Sequence, residues 1–240
     1  MAEKPRFYDA TLTQVVSLTD SVKHFVFEYP KDADSSFIAG QFMMVHLERD
    51  GKPVKKPYSI ASSPLLKGKI ELCIKLVEGG YVSTWFFGLK EGDVIHTSLP
   101  YGVFTMREPW QEDLVFVGTG TGIAPLRGII KNLYEKGCTK NIWLIFGNRY
   151  ETDILYLEEW HALEKQHPNF YFIPTVSRPK SKEWRGETAY VQEIIKKKWA
   201  GKTDGFDFYG CGLVPMCQQL KATLLEMNIP RERIHFEQFT

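Results

Sequence analysis

At 240 residues, 43% hydrophobic and 25% charged, the chain is long enough to bury a sizeable core and suits one large or two modest domains. Thirty basic residues against 29 acidic leave a formal charge of +1, which excludes a global electrostatic attraction to nucleic acid or an anionic membrane and leaves partners to local patches. Met1-Ala-Glu-Lys-Pro-Arg-Phe7 has no apolar run of signal-peptide type, and no stretch approaches the roughly 20 apolar residues of a membrane span, so a soluble, cytoplasmic protein is expected.

In the first half, alternation in Val22–Tyr29, Gln41–Leu47 and Lys69–Val77 predicts half-buried strands bounded by Gly, Pro and Asp. Short strands at this spacing predict a closed antiparallel barrel. Between the second and third lies Lys56-Pro-Tyr-Ser-Ile-Ala-Ser62, read as a strand terminus on which Lys56 and Tyr58 share one face and Ser59 takes the other, with Pro57 between. It groups a cation, an aromatic face and a hydroxyl, as a phosphate-bearing aromatic cofactor requires; a solvated lysine beside a packed tyrosine is the plainer alternative. After the third strand, which ends through Ile74, Lys75 and Val77, comes Gly79-Gly80-Tyr81-Val82-Ser83. Ser83 is read as the N-cap of a short helix, Thr84–Gly88, whose free amides would face an anion that the glycines let come close. A simple capped turn is the alternative.

Past Pro109 the rhythm changes. Leu114–Val117, Asn141–Phe146, Asn169–Ile173 and Phe206–Tyr209 are short apolar runs separated by helical stretches, a pattern that predicts a parallel sheet with crossover helices. The boundary is placed in the polar, proline-containing segment 107–112, giving domains 1–109 and 110–240. The first of these strands runs into Gly118-Thr119-Gly120-Thr121-Gly122 and then a helix carrying Pro125 in its first turn, where a missing N–H costs nothing. A glycine turn at that place offers unpaired amides and a positive dipole end to phosphate. The spacing is not Gly-x-Gly-x-x-Gly and no acidic residue stands about 20 positions on, where Cys138 to Lys140 are found, so an ordinary Rossmann dehydrogenase is disfavoured.

After the third strand, Ser177 and Arg178 combine a hydroxyl with a guanidinium fork, suited to a 2′-phosphate; solvated loop cations are the alternative for Arg178 and Arg185 alike. The fourth strand ends in Tyr209-Gly-Cys211-Gly212, followed by a helix through Met216, and the chain closes on an alternating run, His235-Phe-Glu237-Gln-Phe239-Thr240. Cys73, Cys138, Cys211 and Cys217, and His24, His46, His96, His161, His167 and His235, show no metal-ligand spacing. No metal is expected, nor a fused iron–sulfur module, which takes four thiolates with three closely spaced.

Taken in this order, the segments at Lys56–Ser62, Gly80–Ser83, Gly118–Pro125, Tyr209–Gly212 and His235–Thr240 resemble those of the ferredoxin-NADP reductase superfamily over essentially the whole chain. The resemblance implies a two-domain fold, a Greek-key β-barrel that binds flavin followed by an α/β parallel-sheet domain that binds NAD(P), holding a flavin against a nicotinamide nucleotide. It implies FAD as cofactor, with FMN left open by the residues themselves. Lys56, where the family usually carries Arg, keeps the charge for the flavin phosphates but loses the bidentate fork. Gly80–Ser83 would hold the pyrophosphate, Cys211 would lie beside the nicotinamide as a small wall, Glu237 would be the carboxylate near it, and Phe239 would cover the flavin face, a role that the added Thr240 disturbs. The Ser177–Arg178 pair resembles that of NADPH users, whereas Trp184-Arg-Gly186 resembles NADH users; the reading leans to NADPH. The implied activity is hydride exchange between NAD(P)H and FAD with single-electron transfer to a separate soluble carrier, a ferredoxin, a flavodoxin or an oxygenase component. The alternatives are the reductase component of a multicomponent oxygenase or cytochrome system and, from another class, a non-catalytic nucleotide-binding regulatory subunit.

Overall fold

A computed structural model describes residues 4–106, 108–202 and 204–239; Thr240 and Arg107, touched by the readings of the tail and the boundary, lie outside the described residues. The chain forms two compact units, Met1–Met106 with Arg127–Lys136, and Arg107–Leu126 with Gly137–Thr240.

The first unit is built from β1 (Arg6–Thr19), β2 (Val22–Glu28), β3 (Phe42–Arg49), β4 (Lys52–Ser59), β5 (Lys69–Lys75), α1 (Tyr81–Gly88) and β6 (Val94–Tyr101). Its strands pair antiparallel in the order β4-β3-β6-β1-β2-β5, so the last strand inserts between the first and third, a Greek-key path. The sheet curls, and its edge strands meet at the Ile60↔Leu72 bridge, closing the curl at a point rather than along a ladder. Alternation turns Ala10 and Leu12, Phe25 and Phe27, Met43 and Val45, and Ile70 and Leu72 inward, all fully buried. Helix α1 contributes Phe86 to that core, its ring 5.5 Å from Phe25 and edge-on. Helix α1 begins three residues earlier than the capping reading places it. Gly80 is its N-cap without a side-chain cap, and Ser83 lies inside the first turn, its hydroxyl turned back to the Gly80 carbonyl at 3.1 Å.

The second unit contains β7 (Asp113–Thr119), a 3-10 turn over Gly120–Gly122, the start of α2 (Ile123–Glu135), β8 (Ile142–Asn148), α3 (Leu157–Gln166), β9 (Phe170–Val176), α4 (Val191–Trp199), β10 (Phe206–Leu213), α5 (Val214–Glu226) and β11 (Ile234–Phe239). Its strands are all parallel in the order β11-β10-β7-β8-β9. Covered on both faces, β7 reads as an unbroken apolar run, Leu114 to Val117, each at most 1% exposed. Helices α4 and α5 pack Ile194, Ile195, Trp199, Leu220 and Leu224 over one face. From β7 the chain adds β8 and β9 to one side, then returns to lay β10 and β11 on the other. The order reverses between β7 and β10, and beyond the carboxyl ends of strands at such a reversal an open α/β sheet leaves a crevice for ligands. Among the described residues no helix is long and apolar enough to cross a membrane.

Candidate functional site

At the β7/β10 reversal two glycine turns touch. Gly118 is in register with Cys211, and a Cβ added to Gly122 would overlap the Cys211 carbonyl and stand 2.7 Å from the Gly212 Cα. A Cβ on Gly212 would in turn overlap the Thr119 hydroxyl and come within 2.7 Å of the Met216 methyl. Only residues without side chains allow this backbone contact. Gly120 has φ +52° with open space around it, so the turn presents its amides outward before α2 starts. The Thr119 Oγ1 is buried and has no hydrogen-bond partner among the described residues. A buried hydroxyl without a partner is costly, and an anion or hydroxyl brought to this turn would satisfy it. Glycine cradle, open amides and spare hydroxyl together fit a nucleotide diphosphate.

Cys211 is fully buried and in register with Glu237 on β11. Burial, then the Glu237 charge and Cys217, push its thiol well above the ordinary range, so it stays neutral and is no nucleophile. Glu237 itself is half-buried. Cys217 lies six residues after Cys211, and its Sγ lies 3.7 Å from the Gly212 carbonyl and 3.5 Å from that of Glu237, tying the end of β10 to β11. Phe239, half-buried, ends β11 in register with Leu213.

Ser177 and Arg178 stand on the same carboxyl-end rim, beyond β9. The Ser177 amide donates to the Asn148 carbonyl at 3.0 Å and that of Arg178 to the Arg149 carbonyl at 2.9 Å, leaving the Arg178 side chain exposed. The Glu151 carboxylate accepts the amides of Lys180 and Ser181 at 2.8 and 2.7 Å, staples the loop that follows, and is held below its ordinary pKa by these backbone bonds and its own. Arg185 is not on this rim. Its guanidinium donates to the carbonyls of Lys182 and Trp184, and it borders a separate hollow along Phe172–Pro174, beside the middle of β9.

In the first unit the register of β4 puts Lys56 opposite Val45 and Tyr58 opposite Met43, on one face, with Pro57 opposite Met44 on the other. Lys56 is exposed; Tyr58 is half-buried, its ring 4.9 Å from that of Phe86, and burial pushes its phenol up to about 12. Ser59 ends the strand, half-buried and opposite Phe42. Gly80 and Ser83 fit each other: the buried Ser83 hydroxyl accepts the Val77 amide at 3.1 Å, and a Cβ on Gly80 would stand 2.7 Å from that oxygen. The uncapped amides of α1 therefore remain available. Val82 faces the core, while Tyr81, Lys75 and Val77 are exposed. The side chain of Ile74 is 2% exposed and belongs to the core cluster, so only its backbone can meet a ligand. Among the described residues no group of three or more His, Cys, Asp or Glu could hold a metal ion.

Comparison with known proteins places both halves. Residues 9–106 match the oxidoreductase FAD-binding domain and residues 116–222 the oxidoreductase NAD-binding domain. The chain is 30% identical to ferredoxin–NADP reductase B of Sorangium cellulosum, covering 97% of both chains. It is also 30% identical to the phenol 2-monooxygenase reductase component of Pseudomonas sp., where it covers 97% of its own length and 65% of that protein's. The fold of the cytochrome P450 reductase GcoB from Amycolatopsis superposes with a TM-score of 0.89 at 24% identity, covering all of this chain and 71% of the other.

Proposed function

Because the chain belongs to the ferredoxin–NADP reductase family, as an oxidoreductase with an FAD-binding and an NAD-binding domain, we propose that it moves a hydride between NAD(P)H and FAD and single electrons between FAD and a separate protein carrier. The observation that carries this is the pair of touching glycine turns at the strand reversal, with the unpartnered Thr119 hydroxyl between them. FAD, when bound, supplies the exchange between two-electron and one-electron chemistry.

The chain's own residues then bind and orient. Lys56 offers charge to the flavin phosphates, Tyr58 an aromatic face, Ser59 a hydroxyl at the strand end, and Gly80–Ser83 the open amides of α1. In the second unit Gly118–Gly122 and Pro125 form the phosphate turn, and Cys211, Gly212 and Met216 wall the nicotinamide. Glu237 sets a carboxyl beside Cys211, where it balances the positive charge of an oxidised nicotinamide. Since reacting atoms must be held about 3–3.5 Å apart, a compact neutral thiol beside a glycine is the kind of wall that permits close approach. Phe239 and Arg185 keep weaker claims, the first because it ends an edge strand, the second because its donors are spent on its own loop.

Anaerobic addition of NADPH or NADH to the purified protein should bleach a yellow flavin spectrum, and a ferredoxin, a flavodoxin or an oxygenase component should restore it. A colourless preparation that takes up no added FAD would favour the regulatory-subunit reading. For the nucleotide, Arg178→Gln should lower kcat/KM for NADPH by about 10–100-fold, the worth of one charge-assisted contact, with little change for NADH. Equal losses with both nucleotides would remove the 2′-phosphate assignment and its lean to NADPH.

A further inference from the structure

Resting on the flavin reading of the first unit, we propose that Arg127 is a positioning residue for the redox step: with Gly128 and Glu135 it clamps segment 60–63, and the clamp fixes where the Ser59 hydroxyl meets the cofactor. The segment leaves β4 directly after Ser59, and it belongs with Glu71 and these residues of α2 to the first unit. Every residue of the segment is tied down. The Ile60 amide donates to the Gln41 carbonyl at 3.1 Å and the Ala61 amide to that of Glu71 at 2.8 Å. The Ser62 hydroxyl accepts the Glu71 amide at 3.2 Å, and the Ser63 hydroxyl donates to the Glu135 carboxylate. The Arg127 guanidinium donates to the Ala61 carbonyl at 2.8 Å and to the Glu71 carboxylate. Gly128 lets the helix lie directly against the segment, since a Cβ there would stand 3.1 Å from the Ile60 carbonyl oxygen and 2.7 Å from that of Ser62. All four residues are at most 2% exposed.

A connection between two strands needs no buried charge to stay folded. An apolar pair of similar volume packs such a place as well, and a buried ion pair adds little net stability over it. What the guanidinium adds is direction. Its planar fork joins the carbonyl of the segment to the carboxylate of β5 in one fixed plane, which neither a methyl group nor a point charge reproduces. Ser59 is therefore placed twice, on β4 by its pairing opposite Phe42 and just beyond by the clamp two residues on. Where reacting atoms must meet at about 3–3.5 Å, a displacement of about 1 Å costs on the order of 100-fold in rate.

The test separates holding from placing. Glu71→Leu with Arg127→Met keeps a packed, uncharged clamp without the fork, and Arg127→Lys keeps the charge without it. Both are compared with wild type and Ser59→Ala by thermal melting, by hydrogen exchange of the segment's amides in flavin-free protein, and by stopped-flow reduction in excess FAD at varied NADPH or NADH. The double variant should melt close to wild type, yet both clamp variants should exchange faster across 60–63 and lose about 10–100-fold in limiting reduction rate at unchanged nucleotide KM. Adding Ser59→Ala to either should cost less than it does in wild type, because the two changes act through one contact. Wild-type rates in both clamp variants, or losses fully additive with that of Ser59→Ala, would overturn the assignment. A wild type that binds no FAD, or Ser59→Ala reducing at the wild-type rate, would instead overturn the reading on which it rests.

Discussion

Gly122→Ala is expected to abolish reduction by both NADPH and NADH while the protein keeps its flavin. The added methyl has nowhere to go, because it overlaps the Cys211 carbonyl and abuts the Gly212 Cα, backbone atoms of β10, which pairs with β7 through Cys211 and with β11 through both residues. Side chains can swing away from an intruding atom; strand backbone cannot. Overpacking of this kind costs about 3 kcal/mol, the upper end of what small-to-large changes impose, and its strain falls on the turn proposed to bind the nucleotide. The FAD-binding domain match lies over residues 9–106, in the first unit, which the change does not touch. The expected signature is a normal flavin-to-protein ratio, a reduction rate near zero in stopped-flow absorbance, and a lower melting transition.

Gly120→Ala supplies the control. Its position also belongs to the turn, but an added Cβ there meets nothing, so the change costs only the left-handed backbone at φ +52°, about 1–2 kcal/mol. Reduction should persist at a diminished rate. If Gly122→Ala instead reduced at the wild-type rate, the contact between the two turns would have no bearing on nucleotide use.

These glycines were legible in the sequence because their meaning is local: a strand, a Gly-x-Gly-x-Gly turn and a helix follow within a dozen residues. The central parallel strands were legible for the same reason, β7 above all as an apolar run buried on both faces. Half of the antiparallel strands were harder. β1 mixes Arg, Asp, Thr and Gln with inward Ala10 and Leu12, β4 carries two prolines and three lysines, and β6 ends in Leu99-Pro100-Tyr101. An edge strand tolerates such residues, since one side of its backbone needs no partner, and β4 is an edge. Ser83 misled because a serine after two glycines satisfies the capping pattern, whereas the choice between Gly80 and Ser83 as the cap depends on a hydroxyl folding back to Val77 and Gly80.

The pair most thoroughly hidden from sequence is Glu71 and Arg127. Arg127, on α2, is 5% exposed and donates to both the Glu71 carboxylate and the Ala61 carbonyl, the latter at 2.8 Å, while His24 lies 3.9 Å from the other carboxylate oxygen. Next to it Gly128 packs so closely that a Cβ would stand 2.7 Å from the Ser62 carbonyl. Together they hold this part of α2 on the segment that continues directly from Ser59. Arg127→Ala should therefore cost about 3–5 kcal/mol, because it strands a buried carboxylate, and should loosen flavin retention with it. The sign of the pH dependence follows. Burial pushes the Glu71 carboxyl up, but the Arg127 charge and hydrogen bond, aided by His24 and Lys131, more than reverse this, so it titrates below its ordinary value of 4.5. The stability it contributes is complete above that value and is lost as pH falls through the lower folded one. Wild type should thus lose stability on acidification below about pH 4.5, and Arg127→Ala, already without the ion pair, should show a flatter acid limb. Replacing both partners, Glu71→Leu with Arg127→Met, should recover most of the loss, since an apolar pair of similar volume leaves no buried charge unmatched. Denaturant titrations of wild type and the two variants from about pH 2.5 to 8 would read this directly, and equal instability of the double and single variants would show that the pair's hydrogen bond to Ala61, not its charges, holds the helix.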